Sequence, residues 1–414
     1  MYISLRDRPS APVVTPGRRP RVAPVVIGLG MVSLFTDISS ESVAAILPLY
    51  LTGVLGLSTI SYGFIDGLYQ GVSALVRVAG GWAADRGGHP KWVAFVGYAL
   101  SCVARVGFLF ASTFGGISAV VSADRIGKGI RTAPRDAIIS GATPPEHVGR
   151  AFGVHRTLDT TGAAIGPLLA FLILWWIPDG YRTVMVVSLA AAVIGVAILG
   201  FLVPDAVPER ARTLPERVPL RIRELANPRL TRLLAVAGVL GLLTVGDGFI
   251  YLALLDHGGF AAHWFPLMYV GTNLAYLSGA TPIGAFADRV GRARILVLGH
   301  LALVGAYACA VAPFPTAATT IAALVLLGTF YAATDGLTAA LAGAMVDPVA
   351  RASGIAGAQT VVALARLCAS AGFGILWYVQ GPSTAFVLIG AVLLLVIPLG
   401  LATLTPLDAP ESSA

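Results

Sequence analysis

Apolar stretches long enough to cross a bilayer follow one another along almost the whole chain. They lie near 24–53, 60–83, 92–112, 117–139, 151–176, 181–203, 231–254, 264–287, 295–312, 317–342, 352–378 and 384–405. Each can span roughly 30 Å of hydrocarbon as a helix of about 20 residues. In hydrocarbon the backbone must satisfy its own hydrogen bonds, and a helix does so within a single segment. A 56% hydrophobic, 12% charged composition and a mean hydropathy of +0.82 are far more apolar than a 414-residue soluble core requires. The expected fold is therefore an all-α, polytopic membrane protein with about twelve transmembrane helices.

Charge placement predicts the orientation. Of 28 Lys and Arg residues, Arg6, Arg8, Arg18, Arg19 and Arg21 precede residue 24, and seven more lie between 204 and 232. The even-numbered connections add Arg86, Lys91, Arg150, Arg156, Arg289, Arg292, Arg294 and Arg351, whereas the odd-numbered ones hold Arg182. Basic residues stay on the cytoplasmic side during insertion, so both termini and the central loop are expected there, in a multi-pass protein of the cell inner (plasma) membrane. The net charge of +7 is then a consequence of topology and does not point to nucleic acid. Trp92, Trp175, Trp176, Trp264 and Trp377 fall at segment ends, as an interfacial aromatic belt would place them.

The first 23 residues are rich in Pro and Arg and carry no short apolar stretch with a small-residue cleavage site, which reads as a cytoplasmic tail and not a signal peptide. Cys102, Cys309 and Cys368 lie inside apolar segments without pairing or metal spacing, and behave as small hydrophobes. Lys128 is followed by Gly129 and sits mid-segment, so no phosphate-binding G-x-x-x-x-G-K-[ST] loop is formed. No HExxH or CxxC spacing occurs. Neither an enzyme nor a bound cofactor or metal is expected.

The chain repeats itself. Gly81-Trp82-Ala83-Ala84-Asp85-Arg86-Gly87-Gly88 follows the pattern G-x-x-x-D-R-x-G, and so does Gly284-Ala285-Phe286-Ala287-Asp288-Arg289-Val290-Gly291, 203 residues later. Gly149-Arg150-Ala151-Phe152-Gly153 recurs as Ala350-Arg351-Ala352-Ser353-Gly354 after 201 residues. Leu172-Ile173-Leu174-Trp175-Trp176 recurs as Gly374-Ile375-Leu376-Trp377-Tyr378 after 202. Constant offsets in constant order predict two six-helix repeats: a tail at 1–23, a bundle at 24–203, a Pro-rich linker at 204–230, a second bundle at 231–405 and a tail at 406–414.

With their apolar context, the two G-x-x-x-D-R-x-G loops resemble the loops between helices 2 and 3, and 8 and 9, of major facilitator superfamily transporters. The resemblance covers about residues 24–405 and implies two bundles rocking about a shared site. It implies that Gly81, Asp85 and Arg86, and Gly284, Asp288, Arg289 and Arg292, act as gating latches. Asp85 would meet the start of helix 11 near Gly354, and Asp288 the start of helix 5 near Gly153, where free N–H groups attract anions. The first copy departs from the family pattern, with His89 and Pro90 where basic residues are usual, so its latch is expected to be weaker or pH-sensitive.

Charges within the apolar segments mark the functional interior, because an ionised group at the bilayer centre costs roughly 3 kcal/mol on insertion scales unless it faces a cavity or partner. Asp37 and Glu41, four apart, share a face of helix 1. Helix 2 carries Asp66, Gln70, Ser73 and Arg77 in one stripe, and helix 4 Asp124, Lys128, Arg131 and Arg135. Arg105 and Asp159 add to the first half, whereas Asp247, Asp335 and Arg366 are the sparser set of the second. Arg125-Ile126-Gly127-Lys128-Gly129 resembles the R-x-x-x-G helix 4 motif of proton-coupled members. That likeness points to Asp37 or Glu41 as proton acceptor and Arg125 as the cation that responds to it. Arg131 and Arg135, near the cytoplasmic end, are assigned to the Asp85 latch. Gly162, Gly166 and Pro167 resemble the front of the helix 5 motif of antiporters, although Ala170-Phe171 replaces its trailing glycine pair. The phrases at 36–41 and 127–137 together resemble a recurring bacterial subgroup of the superfamily.

The expected function is secondary active transport by alternating access, in the form of proton-driven efflux of a small organic compound by a monomer within the lipid bilayer. Asp66, Gln70, Lys128, Asp159, Asp247, Asn273, Tyr276, Asp335 and Arg366 are expected to line the substrate cavity. Two alternatives stay open. The carboxylates would suit a hard divalent cation, and proton symport of a nutrient would use the same machinery.

Overall fold

The computed structural model describes the backbone of residues 22–87, 89–205, 227–313, 316–346 and 351–408, and the side chains of these except 77–87, 145, 351–353 and 407. The described residues form helices and no strand. The twelve helices are α1 (Pro24–Ala44), α2 (Thr59–Gly87), α3 (Pro90–Phe110), α4 (Phe114–Gly141), α5 (Val148–Trp176), α6 (Tyr181–Ala197), α7 (Pro228–Leu242 and Asp247–Gly258), α8 (Phe265–Val290), α9 (Arg292–Ala310), α10 (Ala317–Ala344), α11 (Arg351–Gln380) and α12 (Pro382–Leu404).

Local chemistry starts and stops them. Thr113 accepts from Gly116 N at 3.2 Å to open α4, and Thr316 with Thr319 forms a capping box on α10. Pro24, Pro90, Pro228 and Pro382 stand in the first helical turn, where a missing N–H costs nothing. Gly291 (φ 118°) and Gly381 (φ 80°) supply the left-handed turns that reverse α8 into α9 and α11 into α12 within a single residue.

Nine spans among the described residues are both long and apolar enough to cross a membrane. The helices that fall short of that apolarity are α2, α4 and α8. Asp66 and Gln70 of α2, Arg125 and Lys128 of α4, and Thr272 and Asn273 of α8 line an internal cavity. The stretch expected to be continuous at 231–254 is broken at 243–246. There Tyr307 Oη donates to Leu243 O at 3.0 Å and accepts from Val245 N at 2.8 Å, satisfying backbone groups that the break would orphan.

Both halves pack alike. In the first, α1 lies on α5 and α6, α2 on α4, and α3 on α4 and α6; in the second, α7 lies on α11 and α12, α8 on α10, and α9 on α10 and α12. Between halves, α2 packs on α11 and α5 on α8. Small residues allow these approaches: a Cβ on Gly162 would meet Leu34 O at 2.3 Å, and one on Gly129 would meet Ser73 O at 2.9 Å. Trp92, Trp175, Trp176 and Trp264 are exposed at helix ends. Trp377 departs from the belt expectation: it packs into a cluster with Phe249, Phe373 and Phe386.

Candidate functional site

Where the two bundles face each other lies a cavity of ≈ 300 Å³, joined through Gln70, Tyr276 and Asp335 to a second chamber of ≈ 490 Å³. The second chamber runs past Arg156, Thr338 and Gln359 toward the end that carries the basic connections. The opposite end is closed. A Cβ on Gly63 would fall 2.4 Å from Ser370 O, so α2 and α11 touch backbone to backbone there. Phe171 and Trp175 of α5 stack against Trp264 with ring centroids 5.6 and 5.8 Å apart, and Trp175 meets His263 at 4.7 Å.

The first-half wall is built around one carboxylate. Asp124 is bridged by Arg105 at 2.7 Å and by Arg125, all three side chains being 3% exposed. Arg105 also reaches Ser40 Oγ at 3.2 Å, and the Arg125 guanidinium lies 3.7 Å from the centre of the Tyr69 ring. The ion-pair partner of Arg125 is thus its chain neighbour Asp124, and not Asp37 or Glu41. Adjacent residues of a helix diverge by about 100°, but the long guanidinium stem folds back to the neighbouring carboxylate. Arg125 still lines the cavity, together with Glu41 and Lys128. Glu41 and Lys128 form no ion pair or side-chain hydrogen bond among the described residues.

Asp37 and Asp159 lie instead in a polar seam between α1, α4 and α5. They sit within hydrogen-bonding reach of each other, with Arg135 3.9 Å and Arg156 3.7 Å from Asp159. Asp159, expected in the substrate cavity, is set back from the cavity lining. His155 and Ser33 extend the seam through a 2.9 Å contact. The motif glycines explain this meeting. A Cβ on Gly166 would lie 3.0 Å from both Ile38 O and the Glu41 Cβ, so Gly162, Gly166 and the adjacent buried Pro167 seat α5 directly on the Asp37–Glu41 stretch. Arg135 pairs with Asp136 at 2.9 Å, and Arg131 lies 4.4 Å from the centre of the Tyr98 ring. The Asp85 side chain, to whose latch both were assigned, lies outside the described residues.

Asp66, Gln70, Asp247, Asn273, Tyr276 and Asp335 line the central cavity, and Arg366 lines the second chamber. Asp66 reaches across the halves to accept from Ser370 Oγ of α11 at 2.5 Å. Its carboxylate also abuts the break in α7, where a Cβ on Gly246 would be 2.2 Å from Asp66 Oδ2. Asp247, next in the chain, accepts from Tyr331 Oη at 2.6 Å. Sequence reasoning missed Ser370 and Tyr307. The polar positions Gln359, Arg366 and Ser370, at spacings of seven and four, are the stripe that marks the inner face of α11. No comparable pattern announces Tyr307. No group of three or more His, Cys, Asp or Glu among the described residues is arranged to hold a metal ion.

The latch residues are only partly visible. The side chains of Asp85 and Arg86, and the contacts of Gly81, lie outside the described residues. Asp288 pairs with Arg292 of its own loop at 2.7 Å, with both side chains about half exposed, and does not meet α5. Gly284 and Gly153 have open space around them, and Arg289 is exposed. The α8–α9 turn is held from elsewhere: Asp408 accepts from Ala293 N at 2.8 Å and from Arg294 N at 3.2 Å.

The sequence profile described as Major Facilitator Superfamily matches residues 29–271 and 253–414. An uncharacterized MFS-type transporter of Methanocaldococcus jannaschii is 29% identical over 379 residues, spanning 89% of this chain and 92% of that one. An uncharacterized protein of Mycobacterium tuberculosis is 28% identical over 281 residues, 66% and 68% of the two chains. Among solved structures, the nucleoside transporter NupG superposes with a TM-score of 0.79 at 14% identity, over 92% of this chain and 99% of its own. A bacterial homolog of the human lysosomal transporter Spinster, in an inward-facing and unoccupied conformation, gives 0.74 at 16% identity, over 96% and 100%. These structural likenesses speak to the fold; the profile covers both halves, and the chain belongs to the major facilitator superfamily of membrane transporters.

Proposed function

We propose that this secondary transporter is a proton-driven exporter of a small organic compound, working as a monomer in the inner membrane with both termini cytoplasmic. The observation that carries this reading is the charged cavity between the bundles, open at the basic end and closed at the other. Under the positive-inside rule the open end faces the cytoplasm, so this form is ready to load from inside. Residues 24–203 and 231–405 are the two moving bodies, joined by the 204–230 linker.

The coupling groups are Asp37 and Glu41, backed by Arg125. Glu41 faces the cavity beside Arg125 and Lys128, and Asp37 faces Asp159 one turn away. A carboxylate placed this way exchanges attraction to its cationic neighbours for a bound proton, and each protonation state favours a different arrangement of the bundles. Moving one charge through 100 mV provides about 2.3 kcal/mol, enough for about a fifty-fold substrate gradient. On the basic side, Asp85 and Asp288 are latches that engage when the open end closes; the Asp288–Arg292 pair is the released form of the second.

Inverted vesicles containing the protein should acidify on energisation and release protons when substrate is added. Asp37→Asn, Glu41→Gln or the double variant should lose uphill transport and keep downhill exchange. Proton-driven accumulation that survives in all three, with Asp247→Asn or Asp335→Asn inactive instead, would overturn the assignment of the coupling groups.

A further inference from the structure

The charges of the cavity do not balance. Glu41, Asp66, Asp247 and Asp335 line it, and none of them forms an ion pair within 4 Å among the described residues. Arg125 is held by Asp124, which it shares with Arg105, so this trio keeps one positive charge beside Glu41. That leaves Lys128 on the first-half wall and Arg366 in the adjoining chamber as the cations without an ion-pair partner among the described residues. The positive charge is unevenly placed: the trio and Lys128 stand beside Glu41, whereas Arg366 is the one cation without an ion-pair partner near Asp66, Asp247 and Asp335 among the described residues. Lys128 lies within electrostatic reach of Glu41, and Arg366 alone lies within reach of the three carboxylates Asp335, Asp247 and Asp66. The surplus negative charge falls where Asp66 meets the break in α7 just before Asp247.

That spot is shaped for more than an ion. Asp66 comes from the first bundle and Asp247 from the second, and the hydroxyls that donate to them, Ser370 Oγ and Tyr331 Oη, are neutral. Around them the cavity is walled by Tyr62, Tyr69, Tyr251, Tyr269, Tyr276 and Tyr331. Half of the chain's 12 tyrosines thus line one space. A second, independent feature points to a ligand group: Arg366 Nε is buried with no hydrogen-bond partner, although its guanidinium lies 5.5 Å from the centre of the Tyr331 ring. A buried guanidinium donor left without an acceptor is costly, and a ligand oxygen would satisfy it.

We infer that the substrate is a compact organic cation, its protonated amine seated between Asp66 and Asp247, its ring against the tyrosines, and an acceptor oxygen directed to Arg366. This inference rests on the reading of the cavity as the transport site and names the chemical class that the site takes. Two carboxylates from opposite bundles holding one ammonium would also draw the bundles together around it. Occupancy would then bear on the equilibrium that drives alternating access.

The test uses the full chain in lipid nanodiscs without any gradient, so that binding is read independently of coupling. Isothermal titration calorimetry compares four probes of one shape at a pH where the amines are charged. These are tyrosine methyl ester (cation with acceptor), tyramine (cation alone), N-acetyltyrosine methyl ester (neutral) and 3-(4-hydroxyphenyl)propionate (anion). The ester should bind best, tyramine more weakly, and the neutral and anionic probes on the order of tenfold or more below the ester. Asp66→Asn and Asp247→Asn should remove the preference for charge, and Arg366→Gln should bring the ester down to tyramine. Because these comparisons include the unaltered protein, they survive a variant that fails to fold. Equal or tighter binding of the neutral or anionic probe, no binding of either cation, or charge preference retained in folded Asp66→Asn and Asp247→Asn proteins would each overturn the inference. Proton-driven movement of the anionic probe in proteoliposomes would overturn it while leaving the export reading intact. Cation binding without proton-dependent movement of any probe would support it and count against export.

Discussion

Gly374→Ala and Gly63→Ala test whether the closed end of the cavity is held by backbone contact between α2 and α11. A Cβ at Gly374 would stand 2.4 Å from Thr59 O and 3.1 Å from Gly63 Cα; one at Gly63 would stand 2.4 Å from Ser370 O and 3.0 Å from Gly374 Cα. These neighbours are backbone atoms, which cannot rotate aside as a side chain can, so the two helices must part by most of an ångström. Overpacking of this kind costs about 1–3 kcal/mol. The cost applies only to the arrangement in which the helices touch, so each substitution should lower that population by about 5- to 150-fold relative to the alternative. Spin labels on Trp176→Cys and Tyr378→Cys, at the 78% and 63% exposed ends of α5 and α11, report separation of the halves at this end in a background lacking Cys102, Cys309 and Cys368. Gly372→Ala is the control, because a Cβ there meets nothing within 4 Å while the gain in helix propensity is the same. The distance distribution should lengthen in both test variants and stay put in the control. Distributions identical across all three would refute the claim that this contact closes the cavity.

Asp124→Asn leaves Arg105 and Arg125 without their shared counter-charge; loss of one partner from a buried ion pair costs about 3–5 kcal/mol, so thermal melting in detergent should fall by many degrees, and an unchanged midpoint would deny the trio a structural role. Tyr307→Phe strips the break in α7 of the hydroxyl that serves Leu243 O and Val245 N, a loss of about 1–3 kcal/mol that should appear as faster amide exchange of residues 243–246 by mass spectrometry. Asp288→Asn breaks a half-exposed ion pair with Arg292, so melting should stay the same while turnover falls and substrate affinity holds; lost binding with unaltered two-sided accessibility would defeat the latch reading.

Much of this protein is legible without coordinates. Apolar length alone specifies the helices, because hydrocarbon offers the backbone no other partner. The repeated loops at Asp85 and Asp288 announce two related halves, and the charges on α2 and α4 announce an inward polar face, since lipid would not tolerate them. Asp66, Gln70, Asp247, Asn273, Tyr276 and Asp335, polar residues of apolar segments, line one cavity. Partner choice is another matter. Arg125 pairs with Asp124 and Asp37 faces Asp159, and helical periodicity cannot tell which of several charges at similar depth will touch. That is settled by how closely helices approach, and the approach turns on single glycines such as Gly162 and Gly166, whose missing Cβ matters only once the opposing helix is known. The same holds for Ser370 and Tyr307. The α11 stripe marks the face of Ser370 but not its partner, nothing marks Tyr307, and each takes its role from a residue at least 62 positions away, because a hydrogen bond depends on distance in space and not on separation along the chain.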